Sequence, residues 1–144
     1  MKKVLLVLIS FSLVAYGHSA NQGDLMGTWR LVEYALGDQY QDVPTPTPIK
    51  MYMNGEFIVI FYLENKMHFN KGLYSLNDAV VTETIIASGT DSLVDEIISF
   101  KPNFMGDKNS FYINIELGEN KSFERWERTH CDVVKCAEIR TRNN

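Results

Sequence analysis

Short apolar runs, many of them rich in β-branched or aromatic residues, alternate with turn residues along most of this chain. The alternation is cleanest at 110–116, where positions 111, 113 and 115 are apolar and Tyr112, Asn114 and Glu116 lie between them. A two-residue period predicts a β-strand with one buried face, and no segment beyond residue 20 repeats with the period of an amphipathic helix. The pattern therefore predicts an all-β chain.

Turn signals divide the chain into roughly eight or more short strands. Asn54-Gly55, the strongest short hairpin signal, separates strands predicted at 49–53 and 56–62. Prolines at 44, 46 and 48 exclude a central strand or a helix and predict a semi-extended crossing loop. The remaining strands are predicted at 25–34, 66–69, 73–76, 79–87, 93–100, 110–116 and 121–129, and 93–100 fits a short helix as well.

The two ends of the predicted strand series carry the residues that closing a small barrel requires. Gly27 and Trp29 lie on the first strand, and Arg128 lies at the end of the last one. The glycine lets two backbones approach closely, the indole fills the barrel floor, and the guanidinium can lie over its face. The Cys…Trp…Cys spacing of an immunoglobulin sandwich is absent. We therefore predict an antiparallel up-and-down β-barrel of about 8–10 strands.

Residues 1–20 have the pattern of an export signal. Two lysines precede an apolar stretch at 4–16, and small residues follow, so that cleavage fits after Gly17 or after Ala20. The stretch is shorter than the roughly 20 residues that span a bilayer, which makes an uncleaved anchor the less favoured alternative. We predict a signal peptide at 1–20 and a barrel domain with a C-terminal tail at 21–144.

The predicted compartment is extracellular or periplasmic, without stable membrane insertion after cleavage. No cysteine precedes Cys131, so a lipoprotein anchor is not expected. The formal net charge is −4, and the basic residues at 121–142 are interleaved with acidic ones. A protein that binds nucleic acid needs a basic stripe to displace counterions, so no nucleic-acid partner is predicted.

Cys131 and Cys136 are the only cysteines, and in an oxidising compartment they pair most simply with each other. An extended chain would hold their Cα atoms roughly 16 Å apart, so the segment between them must turn back. The predicted disulfide is a local staple of the tail. A metal site that adds His130 is the weaker alternative, because three ligands at this spacing do not form a zinc knuckle. No metal or cofactor is predicted.

Several stretches resemble the calycin superfamily, which includes lipocalins and fatty-acid-binding proteins, and in particular small exported bacterial lipocalin-like domains. They are Gly27-Thr28-Trp29-Arg30-Leu31-Val32, Ile49-Lys50, Lys71-Gly72-Leu73-Tyr74-Ser75-Leu76, Val81-Thr82-Glu83-Thr84 and Phe123-Glu124-Arg125-Trp126-Glu127-Arg128. Where that group tends to have Gly-Gly-x-Tyr, this chain has Lys71-Gly72-Leu73-Tyr74. The resemblance implies an up-and-down barrel with an apolar interior, but no particular ligand, because the group has no common one.

An eight-stranded barrel has room for packed side chains alone or for side chains and one small ligand. We predict that a small hydrophobic molecule binds inside and that the protein is not an enzyme, since no catalytic motif stands out. The alternative is a filled barrel that acts as an envelope accessory or protein-interaction module, using the strand at 56–62, which is apolar on both faces, and the proline loop. The predicted ligand-binding residues are Tyr34, Tyr52, Phe57, Tyr74, Glu83 and Tyr112.

Two charged residues have alternative positions. Glu83 shares a face with Val81 and Ile85, so it is either buried and in need of a partner or an ordinary surface charge. Fatty-acid-binding proteins hold a carboxylate with an arginine on the last strand, which makes Arg125 a second candidate. Arg125 and Arg128 face opposite sides of a regular strand. If Arg128 covers Trp29, as we favour, Arg125 faces outward and the fatty-acid analogy loses its anchor.

Overall fold

The computed structural model describes residues 21–117 and 120–129. Within these ranges the chain forms a short helix α1 (Gln22–Leu25) and a sheet of ten strands. The strands are β1 (Gly27–Leu36), β2 (Gln39–Gln41), β3 (Ile49–Met53), β4 (Glu56–Leu63), β5 (Lys66–Asn77), β6 (Val80–Ser88), β7 (Ile97–Phe100), β8 (Asn103–Phe104), β9 (Ser110–Leu117) and β10 (Asn120–Arg128). A single 3-10 turn at Asp91–Leu93 precedes β7.

The strand order is β7-β6-β5-β4-β3-β1-β10-β9-β8, and β2 pairs with the second half of β1. All of these pairs are antiparallel. The first and last strands of this order, β7 and β8, are joined by only Lys101 and Pro102, and β7 also contacts β9. The sheet therefore curls into a barrel, as the sequence predicted.

The hairpin at Asn54-Gly55 is present, and both residues have positive φ, at 50° and 86°. This is the backbone that a two-residue turn of the type I′ class needs. It fixes the register of β3 on β4, in which Tyr52 lies opposite Phe57 and Lys50 opposite Val59. The turn thus decides which side chains of the two strands share the barrel interior.

Three parts of the strand prediction were wrong in detail. The strands expected at 66–69 and 73–76 form one continuous strand, β5, whose register against β6 shifts between Lys71 and Gly72. A bulge, in place of a break between two strands, lies at Lys71 and Gly72. The segment at 93–100 is a strand only from Ile97, because Asp95 has a φ of +69° that interrupts extended backbone. Short strands β2 and β8 lie in the predicted loops at 37–48 and 102–109.

Alternate residues of the long strands point inward and form a single core. On β9, residues 111, 113 and 115 are buried while Tyr112 and Asn114 are exposed. The buried apolar cluster comprises Leu25, Trp29, Leu31, Tyr52, Phe57, Tyr74, Val81, Ile85, Phe100, Phe111, Ile113, Ile115 and Trp126.

The barrel floor has the arrangement predicted for Gly27, Trp29 and Arg128. Trp29 is fully buried, packs edge-on against Phe111 with centroids 4.6 Å apart, and donates its indole N–H to the carbonyl of Leu25 at 2.8 Å. The Arg128 guanidinium carbon lies 4.1 Å from the Trp29 ring centroid. Its two terminal nitrogens donate to the carbonyls of Met26 and Asp24, so one side chain joins the last strand to α1 and β1.

Gly27 provides the space for this arginine. Its φ is +126°, and a Cβ at this position would lie 2.5 Å from a terminal nitrogen of Arg128. Any other residue would be strained in the backbone and would also collide with the guanidinium. The glycine on the first strand is therefore matched to the arginine on the last.

No helix in the described part of the chain has the length and apolar character needed to span a membrane. The predicted signal peptide at 1–20, together with His130, Cys131 and Cys136, lies outside the described residues. The predictions made for these residues remain predictions.

Candidate functional site: a cavity in the barrel

A cavity of about 620 Å³ runs into the barrel from one end. Its outer lining includes Leu36 and Leu63, which are 56% and 54% exposed, and its inner lining includes Glu83, which is 2% exposed. Because the same cavity touches both surface and core residues, it connects solvent with the barrel interior. Pro44 and Pro48 of the proline loop also line it, so the loop borders the mouth, which we define by Leu36, Pro44 and Leu63.

Apolar side chains make up most of the wall, and seven polar residues interrupt it. The apolar residues come from several strands and include Leu31, Phe57, Val59, Phe61, Ile85, Ile98, Ile115 and Trp126. The polar ones are Tyr34, Lys50, Tyr62, Asn70, Glu83, Ser122 and Glu124. A mainly apolar concavity with a few polar groups is the usual composition of a site for a small organic molecule.

The deepest polar feature is a buried ion pair between Lys50 on β3 and Glu83 on β6. Lys50 Nζ donates to both carboxylate oxygens of Glu83, at 3.2 and 3.3 Å, and the two residues are 6% and 2% exposed. The Tyr52 hydroxyl donates a short hydrogen bond to Oε1 of the same carboxylate. Of the two positions considered for Glu83, the structure therefore shows the buried one. Its partners are the Lys50 ammonium and the Tyr52 hydroxyl, both on β3.

Aromatic rings surround the Lys50 ammonium. Its nitrogen lies 5.4 to 6.0 Å from the ring centroids of Tyr52, Phe57, Phe100 and Trp126. Rings at this range stabilise a cation through their quadrupoles, and the effect increases where water is excluded. The ammonium is thus held by one carboxylate and by an aromatic enclosure at the base of the cavity.

The environment of Tyr52 keeps its phenol protonated. Burial raises the pKa of Tyr52 well above its ordinary value of 10.0, and the negative charge of Glu83 and the hydrogen bond to it raise that pKa further. A protonated phenol can keep donating to Glu83. The hydrogen bond between Tyr52 and Glu83 is thereby maintained across the physiological pH range.

A second carboxylate, that of Glu124 on β10, faces the same cavity. It is partly buried and accepts a hydrogen bond of 2.8 Å from the indole nitrogen of Trp126, two residues along the strand. Among the ion pairs of the described residues, none involves Glu124. The cavity wall therefore holds one ammonium and two carboxylates.

The six residues predicted to bind a ligand fall into three groups: some line the cavity, some lie in the core, and one lies on the outer face. Tyr34, Phe57 and Glu83 line the cavity. Tyr52 and Tyr74 are buried in the core with centroids 5.0 Å apart; Tyr52 supports Glu83, and the Tyr74 hydroxyl has no hydrogen-bond partner in the described residues.

The structure places Tyr112 outside the cavity. Its side chain is 37% exposed and lies on the outer face against Phe123, because residues 111 and 113 take the inward positions of β9. Since successive side chains of a strand point to opposite faces, an inward Phe111 requires an outward Tyr112.

Sequence reasoning missed Lys50 and Glu124. Each lies two residues from an inward aromatic residue, Tyr52 or Trp126, and so occupies the same face of its strand. The two-residue period could have identified both. Charged residues are rarely buried without a partner, however, and the partner of Lys50 is distant in sequence.

Arg125 faces outward, as expected once Arg128 covers Trp29. Its guanidinium donates to Glu33 at 2.9 Å and to Glu127 at 3.1 Å, and these interactions raise its pKa, the hydrogen bond to Glu33 most of all. Among the described residues, the cation that lines the cavity is therefore Lys50 of β3, and no arginine lies in that lining.

The described residues contain no group of three or more His, Cys, Asp or Glu side chains that could hold a metal ion. His68 stacks on Phe61 with centroids 5.7 Å apart.

Taken together, the antiparallel strand order, the floor and the interior cavity define a lipocalin-like β-barrel. No protein-family model and no curated protein matches the sequence. The chain is similar in structure to a lipocalin-like protein from Bacteroides uniformis, with a TM-score of 0.54 and 20% identity over 74% of this chain and 100% of the other. The resemblance inferred from the sequence is thereby supported at the level of the fold.

Two further solved structures are similar. A redesigned β-barrel matches with a TM-score of 0.52 and 13% identity, over 76% of this chain and 95% of the other. An uncharacterized protein from Bacteroides eggerthii matches with a TM-score of 0.48 and 18% identity, over 71% of this chain and 98% of the other.

Proposed function

We propose that this protein binds a small, largely apolar molecule inside its barrel. The observation that carries the proposal is the cavity of about 620 Å³, which reaches from the exposed mouth to the buried Lys50–Glu83 pair. Ligand sites of proteins typically measure about 300–1,000 Å³. The proposed role is binding rather than catalysis.

The composition of the wall supports an apolar ligand. Side chains such as Val59, Ile98 and Ile115 offer no hydrogen bonds, so the gain on binding comes mainly from removing apolar surface from water. The polar groups are few and lie at separate positions, which suits fixing the orientation of one ligand group.

The filled-barrel alternative expects an interior packed by side chains, with room for at most a water or two. A cavity of about 620 Å³ is far larger than the roughly 30 Å³ that one water molecule occupies in the liquid. The volume therefore favours the ligand proposal over the interaction-module proposal.

We also propose that the chain is exported, with cleavage after Gly17 or Ala20 and a disulfide between Cys131 and Cys136. The support is the charged start and apolar stretch of residues 1–20 and the pairing of the only two cysteines. Mass spectrometry of protein made from the full sequence in an exporting host measures both. A product that retains the leader in the cytoplasm, or two free thiols, would contradict this part.

Binding is tested with the neutral dye Nile red and with native mass spectrometry of the purified protein. Val59→Trp places a large side chain in the cavity, whereas Ile60→Trp, one residue along β4, places it on the outer face. We expect dye affinity to fall by about tenfold or more in the first variant and to stay near the wild-type value in the second. The added indole would keep part of the dye's apolar surface from being buried, and a loss of about 1.4 kcal/mol of binding free energy corresponds to a tenfold weaker affinity.

Two results would overturn the binding proposal. One is a wild-type protein that binds neither Nile red nor any co-purified molecule. The other is an equal dye affinity in folded Val59→Trp and Ile60→Trp. Ile98→Trp, which changes the wall from β7, gives a second measurement if Val59→Trp does not fold.

A further inference from the structure

The charges inside the cavity indicate which polar group the ligand carries. The charged side chains of the described wall are those of Lys50, Glu83 and Glu124. One positive and two negative side chains give this wall a formal charge of −1. Inside a small concavity with apolar walls, such a net charge acts strongly on a charged ligand, because it is screened less there than in bulk water.

Lys50, the one cation among the described wall residues, is already paired with a carboxylate. Glu83 accepts from Lys50 with both carboxylate oxygens, at 3.2 and 3.3 Å, and both side chains are almost fully buried. An anionic ligand at Lys50 would compete with Glu83 for the same ammonium. Displacing Glu83 would leave a buried carboxylate without its counter-ion, which is strongly unfavourable.

Glu124 differs from Glu83 in having acceptor capacity to spare. Its interaction in the described residues is the 2.8 Å hydrogen bond from Trp126, and a carboxylate offers about four acceptor positions. The adjacent outward cation, Arg125, is directed to Glu33 and Glu127 on the other face of the sheet. Glu124 is therefore a cavity carboxylate that no side-chain cation neutralises in the described structure.

We infer that the cavity selects an apolar molecule bearing a protonated amine, and that Glu124 binds this amine. This inference rests on the proposed binding function and specifies its ligand class. The ammonium would donate to Glu124 while its apolar part occupies the region lined by Val59, Ile98 and Ile115. The ring of Trp126, which also lines the cavity, adds a surface that attracts cations. A ligand carboxylate at the same place would instead be repelled by Glu124, whose charge no described side-chain cation neutralises.

The test compares decylamine, decanol and decanoate, which share one alkyl chain and differ in the charge of the head group. At pH 7 the amine is protonated and the acid is ionised. Affinities are measured by displacement of Nile red from the wild-type protein below the aggregation limit of each compound. We expect decylamine to bind about tenfold or more tightly than decanoate, with decanol between them, because the carboxylate of Glu124 attracts the ammonium and repels the carboxylate.

Glu124→Gln removes the charge and keeps the shape, so the preference for the amine over the acid should fall by about tenfold. The matched control is Glu116→Gln, which removes an exposed carboxylate of β9 that is 71% accessible and lies outside the cavity. This control should retain the wild-type preference. Thermal melting of all three proteins verifies that each is folded.

The outcomes separate this inference from the function on which it rests. Nile red and decanol binding with decanoate equal to or tighter than decylamine would overturn the amine inference and leave the binding function intact. A preference that survives Glu124→Gln unchanged would overturn the role of Glu124. If neither the dye nor any of the three compounds binds, both proposals are wrong.

Discussion

Lys50 Nζ lies 3.2 Å from Oε1 of Glu83, although β4 and β5 separate their strands in the sheet. The contact is therefore made across the barrel interior, and it links two walls that the hydrogen-bond ladder does not join directly. The pair should affect the stability of the fold as well as the site, because each buried charge depends on the other as its counter-ion.

Removing one partner of this pair should cost more than removing both. We expect Glu83→Leu to lower the free energy of unfolding by about 3–5 kcal/mol, since it leaves the Lys50 ammonium buried without a counter-ion. Lys50→Met combined with Glu83→Leu should recover most of that loss, because apolar side chains of similar volume need no partner there. Urea denaturation at pH 7 measures all three proteins.

Glu116→Ala, which breaks the exposed pair of Glu116 with Lys121, is the control for this cycle. Both of its side chains are more than 70% accessible, at 71% and 73%, so the change should stay within about 1 kcal/mol. A double variant that is no more stable than Glu83→Leu alone would contradict the coupling inferred from the structure.

Tyr52 should make the fold sensitive to alkaline pH. Its folded-state pKa is raised by burial first and by Glu83 second, whereas the unfolded chain ionises near the ordinary value of 10.0. Its contribution is therefore complete below that pH and is lost as the pH rises toward the higher folded-state pKa. Above about pH 10 the stability of wild type relative to Tyr52→Phe should fall by about 1.4 kcal/mol per pH unit.

Urea denaturation at a series of alkaline pH values gives this comparison, and the phenolate absorbance reports the ionisation itself. One tyrosine should ionise only together with unfolding in the wild type and be missing from the Tyr52→Phe protein. Parallel stability profiles for the two proteins would show that Tyr52 is not held protonated by its surroundings.

The floor of the barrel should depend on Arg128 far more than on other arginines of the same sheet. Arg128→Ala removes a guanidinium that stacks on Trp29 and donates to two backbone carbonyls, and we expect a loss of about 2–4 kcal/mol. Arg30→Ala removes a guanidinium that is 55% accessible and pairs with Glu127 on the surface, with an expected loss below about 1 kcal/mol.

Thermal or chemical denaturation gives both values. Arg128→Lys should restore only part of the loss, because an ammonium cannot reproduce the planar fork that reaches two carbonyls while covering the indole. Equal costs for Arg128→Ala and Arg30→Ala would mean that the floor does not depend on this contact.

Local signals in the sequence predicted the barrel well because they act over short distances. The Asn54-Gly55 turn, the alternation of β9 and the glycine and indole of β1 each report on their own strand or hairpin. Chain-end closure followed from the side-chain chemistry of Trp29 and Arg128.

The site was harder to predict because its partners are distant in sequence. Alternation places Glu83 on the face of Val81 and Ile85, but it does not say whether that face is inward, since Thr82 and Thr84 on the other face are β-branched too. Only the contact with Lys50, which is 33 residues away, makes the inward position favourable. The bulge between Lys71 and Gly72 likewise depends on the neighbouring strand.

Of the glycines in the described chain, Gly72 has the least room for a side chain, because β6 lies directly beside it. A Cβ there would lie 1.9 Å from the carbonyl oxygen of Thr84 and 2.8 Å from a ring carbon of Phe57. Tyr74 and Glu83 are partners in the same ladder, and Phe57 forms part of the cavity wall. Enlarging position 72 would therefore displace the backbone beside Glu83 and the ring of Phe57 together, so a barrel redesigned for another ligand should keep this glycine.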